Sequence, residues 1–250
     1  MNRFIPRGLL APRGTQGGRA GRLALAVLAG LLALSLASCR QDATLATTRT
    51  SKVLVLGQDS YPMTCPCGLT FVPGFLAPHK FTSIATMDNR LATPTLGQLA
   101  AYDAVLVWTD GPALDPIALG DVLANYVDGG GGVVLATFGF ASGWNIQGRF
   151  TAPGYAPLGI GGTMGPGSLA TPLVLHQITQ GVTSMTANFR DNAPVRSGGT
   201  LLATWADGAN AVAVNLANNV VGITAFPEDN AMTGDYARLF ANALHWVAAH

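Results

Sequence analysis

The chain has 250 residues, with 14 Lys and Arg against 13 Asp and Glu, and only 11% of its residues are charged. Five basic residues (Arg3, Arg7, Arg13, Arg19 and Arg22) fall within the first 38 positions and no acidic residue does, so the remainder is mildly acidic. That balance excludes a nucleic-acid partner, which needs clustered Lys and Arg against phosphate.

The basic start leads into an uncharged run of Leu, Ala, Val and Gly from Leu23 to Leu36. At roughly 14 residues it is short of the ~20 needed to cross a bilayer. A basic segment, a short apolar run and small residues at its end read as a secretory signal over residues 1–38. Leu36-Ala37-Ser38-Cys39 resembles a bacterial lipobox. The resemblance implies that Cys39 becomes the first residue after cleavage and carries palmitate-like acyl chains. Two or three such chains, at about 0.8 kcal/mol per buried CH2, hold a protein stably on a membrane. The expectation is a lipoprotein of the bacterial cell envelope, with the membrane as a partner through the lipid anchor. Arg40 stands where an Asp would signal inner-membrane retention, which favours the outer membrane.

Residues 39–51 are polar, without apolar periodicity, and read as a tether. Residues 52–250 suit one α/β domain. Beyond Cys39 the remaining cysteines are Cys65 and Cys67, in Met63-Thr64-Cys65-Pro66-Cys67-Gly68. A bridge, a pair of unpaired thiols and a metal pair all stay open. No cofactor is expected.

Lys52 to Gly57 is a continuous apolar strand, the texture of a strand covered on both faces. Lys80 to Met87 is an outer strand, and Thr93-Pro94-Thr95 opens a short helix through Leu99. Ala104 to Trp108 and Gly132 to Phe138 repeat the buried-strand texture. Between them, Asp115-Pro116 starts a helix to Val127 with a cap and a first-turn proline. Residues 139–172 are rich in Gly and Pro, and a stretch this long usually serves a site. Strands follow at 201–204, 211–215 and 220–225, with Asn218-Asn219 as a hairpin turn. Thr233 or Asp235 opens a final amphipathic helix. The expected fold is a flavodoxin-like, doubly wound, mostly parallel sheet with a C-terminal β-hairpin. Ligands in such sheets sit at the carboxyl ends of the strands, here near Asp59, Asp110, Phe140 and Glu228.

Val53-Leu54-Val55-Leu56, the segment from Leu99 to Val107, the glycines before Val133 and His176-Gln177-Ile178-Thr179-Gln180-Gly181-Val182 together resemble the class I glutamine amidotransferase-like superfamily, in its ThuA-like (trehalose-utilisation) branch. The resemblance implies a cysteine nucleophile on a sharp elbow after a central strand, and a His-x-Glu pair near the C-terminus. Here the elbow reads Phe138-Gly139-Phe140, and the pair reads Phe226-Pro227-Glu228 without a histidine. The resemblance therefore implies a catalytically degenerate member.

The candidate ligand-binding residues each have a structural alternative. Asp59 and Asp110 could bind sugar hydroxyls or a cation, or cap turns and helices. Phe140, with Trp108, Phe138 and Trp144, could form an aromatic sugar platform or pack in the core. His176 could be a base or a core histidine. Ser142 lacks the Gly-x-Ser-x-Gly frame of a hydrolase nucleophile. Gly129–Gly132 precedes a strand, whereas phosphate loops follow one. The leading expectation is a non-catalytic envelope domain that binds a small polar, carbohydrate-like ligand or a protein partner. The rival is a carbohydrate-active hydrolase or isomerase using Asp110, His176 or Glu228 as acid and base.

Overall fold

The computed structural model describes residues 51–59 and 68–250. Cys39, Cys65, Cys67, the signal and most of the tether lie outside the described residues.

Strand β1 (Lys52–Gly57) leads to helix α1 (Gly68–Leu76), a 3-10 turn (Ala77–His79) and β2 (Ser83–Asp88). A one-turn helix α2 (Leu96–Leu99), β3 (Ala104–Val107), α3 (Pro116–Asp128) and β4 (Gly132–Ala136) follow. The next region carries short strands: β5 (Gly162–Met164), β6 (Gly167–Ser168), β7 (Met185–Ala187) and β8 (Arg190–Asn192). The chain ends with β9 (Thr200–Thr204), β10 (Asn210–Asn215), β11 (Val220–Ile223), β12 (Thr233–Gly234) and α4 (Tyr236–Ala249).

Seven strands form the main sheet in the order β2-β1-β3-β4-β11-β10-β9. The first five are parallel to one another, and β10 and β9 run antiparallel to their neighbours. The fold is thus the doubly wound, flavodoxin-like α/β sheet that the apolar runs imply. β10 and β11 form the expected hairpin, with Asn219 at positive φ in its turn.

Successive side chains of a strand point to opposite faces. Val53 and Val55 accordingly pack with Leu106 and Val134 against Val72 and Leu76 of α1 and Phe240 and Leu244 of α4. Leu54 and Leu56 pack with Val105, Val107 and Val133 against Leu119 and Leu123 of α3. Asp115 caps α3, its Oδ1 accepting from the N–H groups of Ile117 (3.1 Å) and Ala118 (2.9 Å), with Pro116 in the first turn. Thr95 and Gln98 form a reciprocal capping box on α2.

Helix α1 is absent from the sequence-based expectation. Gly68, Pro73 and Gly74 lower its intrinsic propensity. Tertiary burial of Val72, Phe75 and Leu76 overrides that penalty.

Candidate functional site

Walking outward along the sheet, the strand order reverses between β1 and β3. This is the switch point at which doubly wound folds bind ligands beyond the carboxyl ends of the strands. Two buried amides lock that edge. Gln58 donates from Nε2 to Asn89 Oδ1 at 2.5 Å and accepts at Oε1 from the Asp110 N–H at 2.8 Å. Asn89 donates to the carbonyls of Leu56 (3.2 Å) and Trp108 (2.9 Å). The ends of β1, β2 and β3 are therefore tied by one network, and the Asp110 backbone is fixed by it.

Just outside lies a cavity of about 350 Å³, lined by Arg90, Asp110, Gly111, Pro112 and Trp144. Arg90 reaches Asp88 at 3.5 Å. One guanidinium thus stands among two carboxylates and an indole face. A second cavity, of about 470 Å³, is lined by Tyr102, Asp103, Tyr126 and the Gly129–Gly131 turn. It sits where the strands begin, at the edge opposite the switch point, with Asn125 and His250 also in its wall.

The other two predicted carboxylates meet at the start of α1. Asp59 Oδ1 accepts from the Leu69 N–H at 2.9 Å. Glu228, only 5% exposed, lies against Gly68, where a β-carbon would stand 2.8 Å from its Oε2. A helix N-terminus favours negative charge, which accounts for both placements. Asp59, Asp110 and Glu228 therefore share one edge of the sheet. Asp110 faces the cavity, and Asp59 caps the helix.

Phe140 is a correction. It is 2% exposed and packs under β11, where a β-carbon on Gly222 would stand 3.2 Å from its ring. Trp108 is also fully buried, its ring against Gly57. Two members of the expected platform are thus core residues. The other two do reach the edge. Phe138, at the elbow tip, packs with Trp144 (ring centroids 5.4 Å apart), Phe226 (4.9 Å) and Phe189 (6.3 Å). Trp144 is 40% and Phe189 50% exposed, so these two form the outer surface of the cluster.

His176 is a second correction. Its ring lies 5.7 Å from that of Trp246, and its Nδ1 accepts from the Ile178 N–H at 3.2 Å. Burial, with the charge of His250 second, lowers its pKa. The adjacent Val247 packs against Gly132, the first residue of β4, so this end of α4 lies where the strands begin. The ring therefore serves a turn at the edge opposite Asp110 and Glu228. Of the other histidines, His245 bonds the His79 carbonyl and His250 stacks on Trp246.

Asp191 escapes sequence reading. It stands in the polar run Arg190-Asp191-Asn192, which reads as a surface loop, yet it is fully buried beneath the elbow. Burial pushes its carboxyl up to about 7, against the opposing pull of the Thr137 hydroxyl and the Phe140 N–H. Asn89 and Phe189 were equally silent in the sequence. No group of three metal-ligating side chains occurs among the described residues, and none of the described helices is long and apolar enough to cross a membrane.

No family model matches the chain, and no curated protein matches its sequence. Solved structures do. A cytoplasmic protein from Salmonella typhimurium aligns at TM-score 0.57 and 15% identity, over 78% of this chain and 98% of its own. A protein described as ThuA-like, from Bacteroides uniformis, aligns at TM-score 0.57 and 13% identity, over 78% and 90%. A Thermoplasma acidophilum protein described as part of a GMP synthase aligns at TM-score 0.53 and 13% identity, over 80% and 96%. At these identities the likeness is one of fold. The chain shares the doubly wound α/β fold of these proteins.

Proposed function

We propose that this chain is a lipid-anchored envelope protein whose amidotransferase-like domain binds a small, neutral, polyhydroxylated ligand and catalyses no amide transfer. The observation that carries this reading is Phe138. The elbow tip, where relatives of this fold would mount a nucleophile, holds an aromatic ring packed among three others. Glu228 is engaged at Gly68, and His176 lies at the far edge of the sheet. His176 is therefore apart from Asp110 and Glu228, which share the other edge, and this disfavours the hydrolase or isomerase reading in the forms that use the imidazole.

The cavity supports the ligand class. Trp144 offers an apolar face for the C–H side of a sugar ring, while Arg90 and Asp110 offer donors and acceptors for hydroxyls. One guanidinium with two carboxylates leaves a slight negative balance, which disfavours an anionic ligand.

Saturation-transfer NMR of residues 40–250 with a panel of neutral mono- and disaccharides tests the binding. A hit should weaken roughly tenfold in Trp144→Ala, as expected for losing ~1 kcal/mol of ring contact. The reading fails if no sugar binds at millimolar concentration, or if a bound sugar is indifferent to that substitution. Turnover of glutamine, ester or glycoside substrates that Glu228→Ala abolishes would overturn the non-catalytic assignment. Anchoring has its own test: Cys39→Ser should release the protein from the membrane fraction. The domain reading of residues 1–38, 39–51 and 52–250 predicts that the mature chain begins at Cys39, which intact-mass measurement checks.

A further inference from the structure

We propose that β2 is a docking edge for a second copy of this chain: two β2 strands pair antiparallel about a two-fold axis and continue the sheet from one copy into the next. The inference rests on the sheet itself and not on the binding reading above.

The two edges of the main sheet differ. At the β9 edge the Thr204 carbonyl accepts from the Ala170 N–H (2.9 Å) and the Leu202 carbonyl from the Val174 N–H (3.1 Å), so a segment of the chain lies along that strand. Register shifts also interrupt the β9–β10 ladder. Covering segments, bulges, edge Lys and edge Pro are the means by which sheets block edge-to-edge pairing. β2 carries none of them. It runs in unbroken register with β1 from Ser83 to Asp88, and Ser83-Ile84-Ala85-Thr86-Met87 contains no charge, proline or glycine. No residue of β2 is buried. One bond fixes which of its groups face outward. The Thr82 N–H donates to the Ser51 carbonyl at 2.9 Å, on the β1 side. Alternate residues of a strand turn both backbone groups to the same neighbour. Ile84 and Thr86 therefore face β1, while Ser83, Ala85 and Met87 face outward. β1 agrees: its Lys52 and Leu56 carbonyls accept from Asp103 and Trp108 on the β3 side, which leaves Val53 and Val55 for β2. Among the described residues, no hydrogen bond reaches the outward groups of Ser83, Ala85 and Met87.

Three outward residues spaced two apart make a self-complementary row. With Ala85 on a two-fold axis, Ser83 of each copy faces Met87 of the other and Ala85 faces its own equivalent, so every outward N–H meets a carbonyl. Between these pairs Ile84 stands opposite Thr86 of the second copy, two β-branched side chains of the kind that pack well across strands. Charge favours the same occupant. From Gly68 to Met87, across α1, the turn after it and β2, the only charged side chain is Lys80. Two identical edges therefore meet without like charges directly opposed along the paired strands. The pairing is also closed. Each copy uses its β2 edge, both ends of the joined sheet are then covered β9 edges, and association stops at two copies. An interface of one strand per copy is small, so micromolar rather than nanomolar association is expected.

The test uses residues 40–250, which carry the whole main sheet and both core clusters. Sedimentation velocity from ~5 to ~200 μM should show a monomer–dimer equilibrium with no larger species. Thr86→Lys sets a charge on the exposed edge and should weaken the dimer by roughly tenfold or more. Ala85→Pro removes an outward N–H and no bond to β1, so it should abolish the dimer with the far-UV circular dichroism unchanged. Should Ala85→Pro not fold, Thr86→Lys decides. Directly opposed residues of a hydrogen-bonded antiparallel pair lie ~5.5 Å apart, within reach of a disulfide. Ala85→Cys, in a chain that also carries Cys65→Ser and Cys67→Ser, should therefore yield a covalent dimer on mild oxidation. Hydrogen exchange identifies any other occupant. A chain that stays monomeric at ~200 μM overturns the proposal, whether its Ser83, Ala85 and Met87 amides exchange freely or are protected by another part of the chain. A dimer that Thr86→Lys leaves unchanged, or growth beyond two copies, overturns it as well.

Discussion

Glu228 and Gly68 are in contact: a β-carbon added to Gly68 would lie 2.8 Å from the Glu228 Oε2 and 2.7 Å from the Gln58 carbonyl. The glycine is what lets the start of α1 approach both the end of β1 and the segment after β11. Gly68→Ala should therefore destabilise the domain by about 1–3 kcal/mol, despite the better helix propensity of alanine, because the chain must shift to relieve two overlaps. Pairing it with Glu228→Ala should restore only part of the loss, since the Gln58 carbonyl remains. Urea unfolding of the single and double variants checks this. Equal stability of Gly68→Ala and wild type would refute the contact.

The amide pair of Gln58 and Asn89 makes a second prediction. Asn89→Ala removes the acceptor of Gln58 and the donor to two strand-end carbonyls, all of them buried. Orphaned buried polar groups cost about 1–3 kcal/mol each. A loss of at least ~2 kcal/mol is expected by thermal or denaturant unfolding. Because Gln58 also accepts from the Asp110 N–H, Gln58→Ala should additionally weaken sugar binding at the cavity. Wild-type affinity in that variant would show that Asp110 needs no such support.

Phe189 separates binding from stability. Its ring is 50% exposed and sits at the outer face of the aromatic cluster. Phe189→Ala should change stability by less than about 1.5 kcal/mol, well below the 3–5 kcal/mol of a core phenylalanine. Phe138→Ala, at 7% exposure, should cost clearly more. If both lose the same stability, the cluster is core and offers no platform.

These contrasts show what the sequence could and could not convey. β1, β3 and β4 were legible because a strand buried on both faces needs an unbroken apolar run, and little else produces one in five or six residues. α3 was legible from Asp115-Pro116, because cap and first-turn chemistry is local. α1 was hidden because its glycines and proline disfavour helix locally, and only contacts with β1, β2 and α4 stabilise it. The carboxylates Asp59, Asp110 and Glu228 share one edge because topology sends every strand end there. Phe140 and His176 were misassigned because a residue type does not reveal which side of a turn, or which end of a helix, it will face. Asp191 was invisible because a single Asp in a polar triplet normally reports solvent.

That buried carboxyl also fixes a pH dependence of stability with a definite sign. The folded-state pKa of Asp191, about 7, lies above the ordinary value of 3.8. Below pH ~4 the group is neutral whether the chain is folded or unfolded, and it carries no penalty. Between there and neutrality the unfolded chain releases the proton while the folded chain keeps it, so stability falls as pH rises, and it levels off above about 7. The full span corresponds to about 4 kcal/mol at 1.36 kcal/mol per pH unit. Asp128, Asp207 and Asp235 act oppositely: their hydrogen bonds, to Arg149, to Arg190 and to the 183–184 backbone and hydroxyl, hold them below the ordinary range. Their contribution is lost only as pH drops beneath that range. His79 and His176, held by burial below the ordinary imidazole value, make stability rise with pH up to about 6.5. The Asp191 part is therefore read as the difference between wild type and Asp191→Asn. The urea midpoint of the wild type relative to Asp191→Asn should decline between pH 4 and 7, with the variant the more stable of the two at pH 8. A difference between wild type and Asp191→Asn that stays constant between pH 4 and 7 would mean that Asp191 is ionised and compensated in the folded chain.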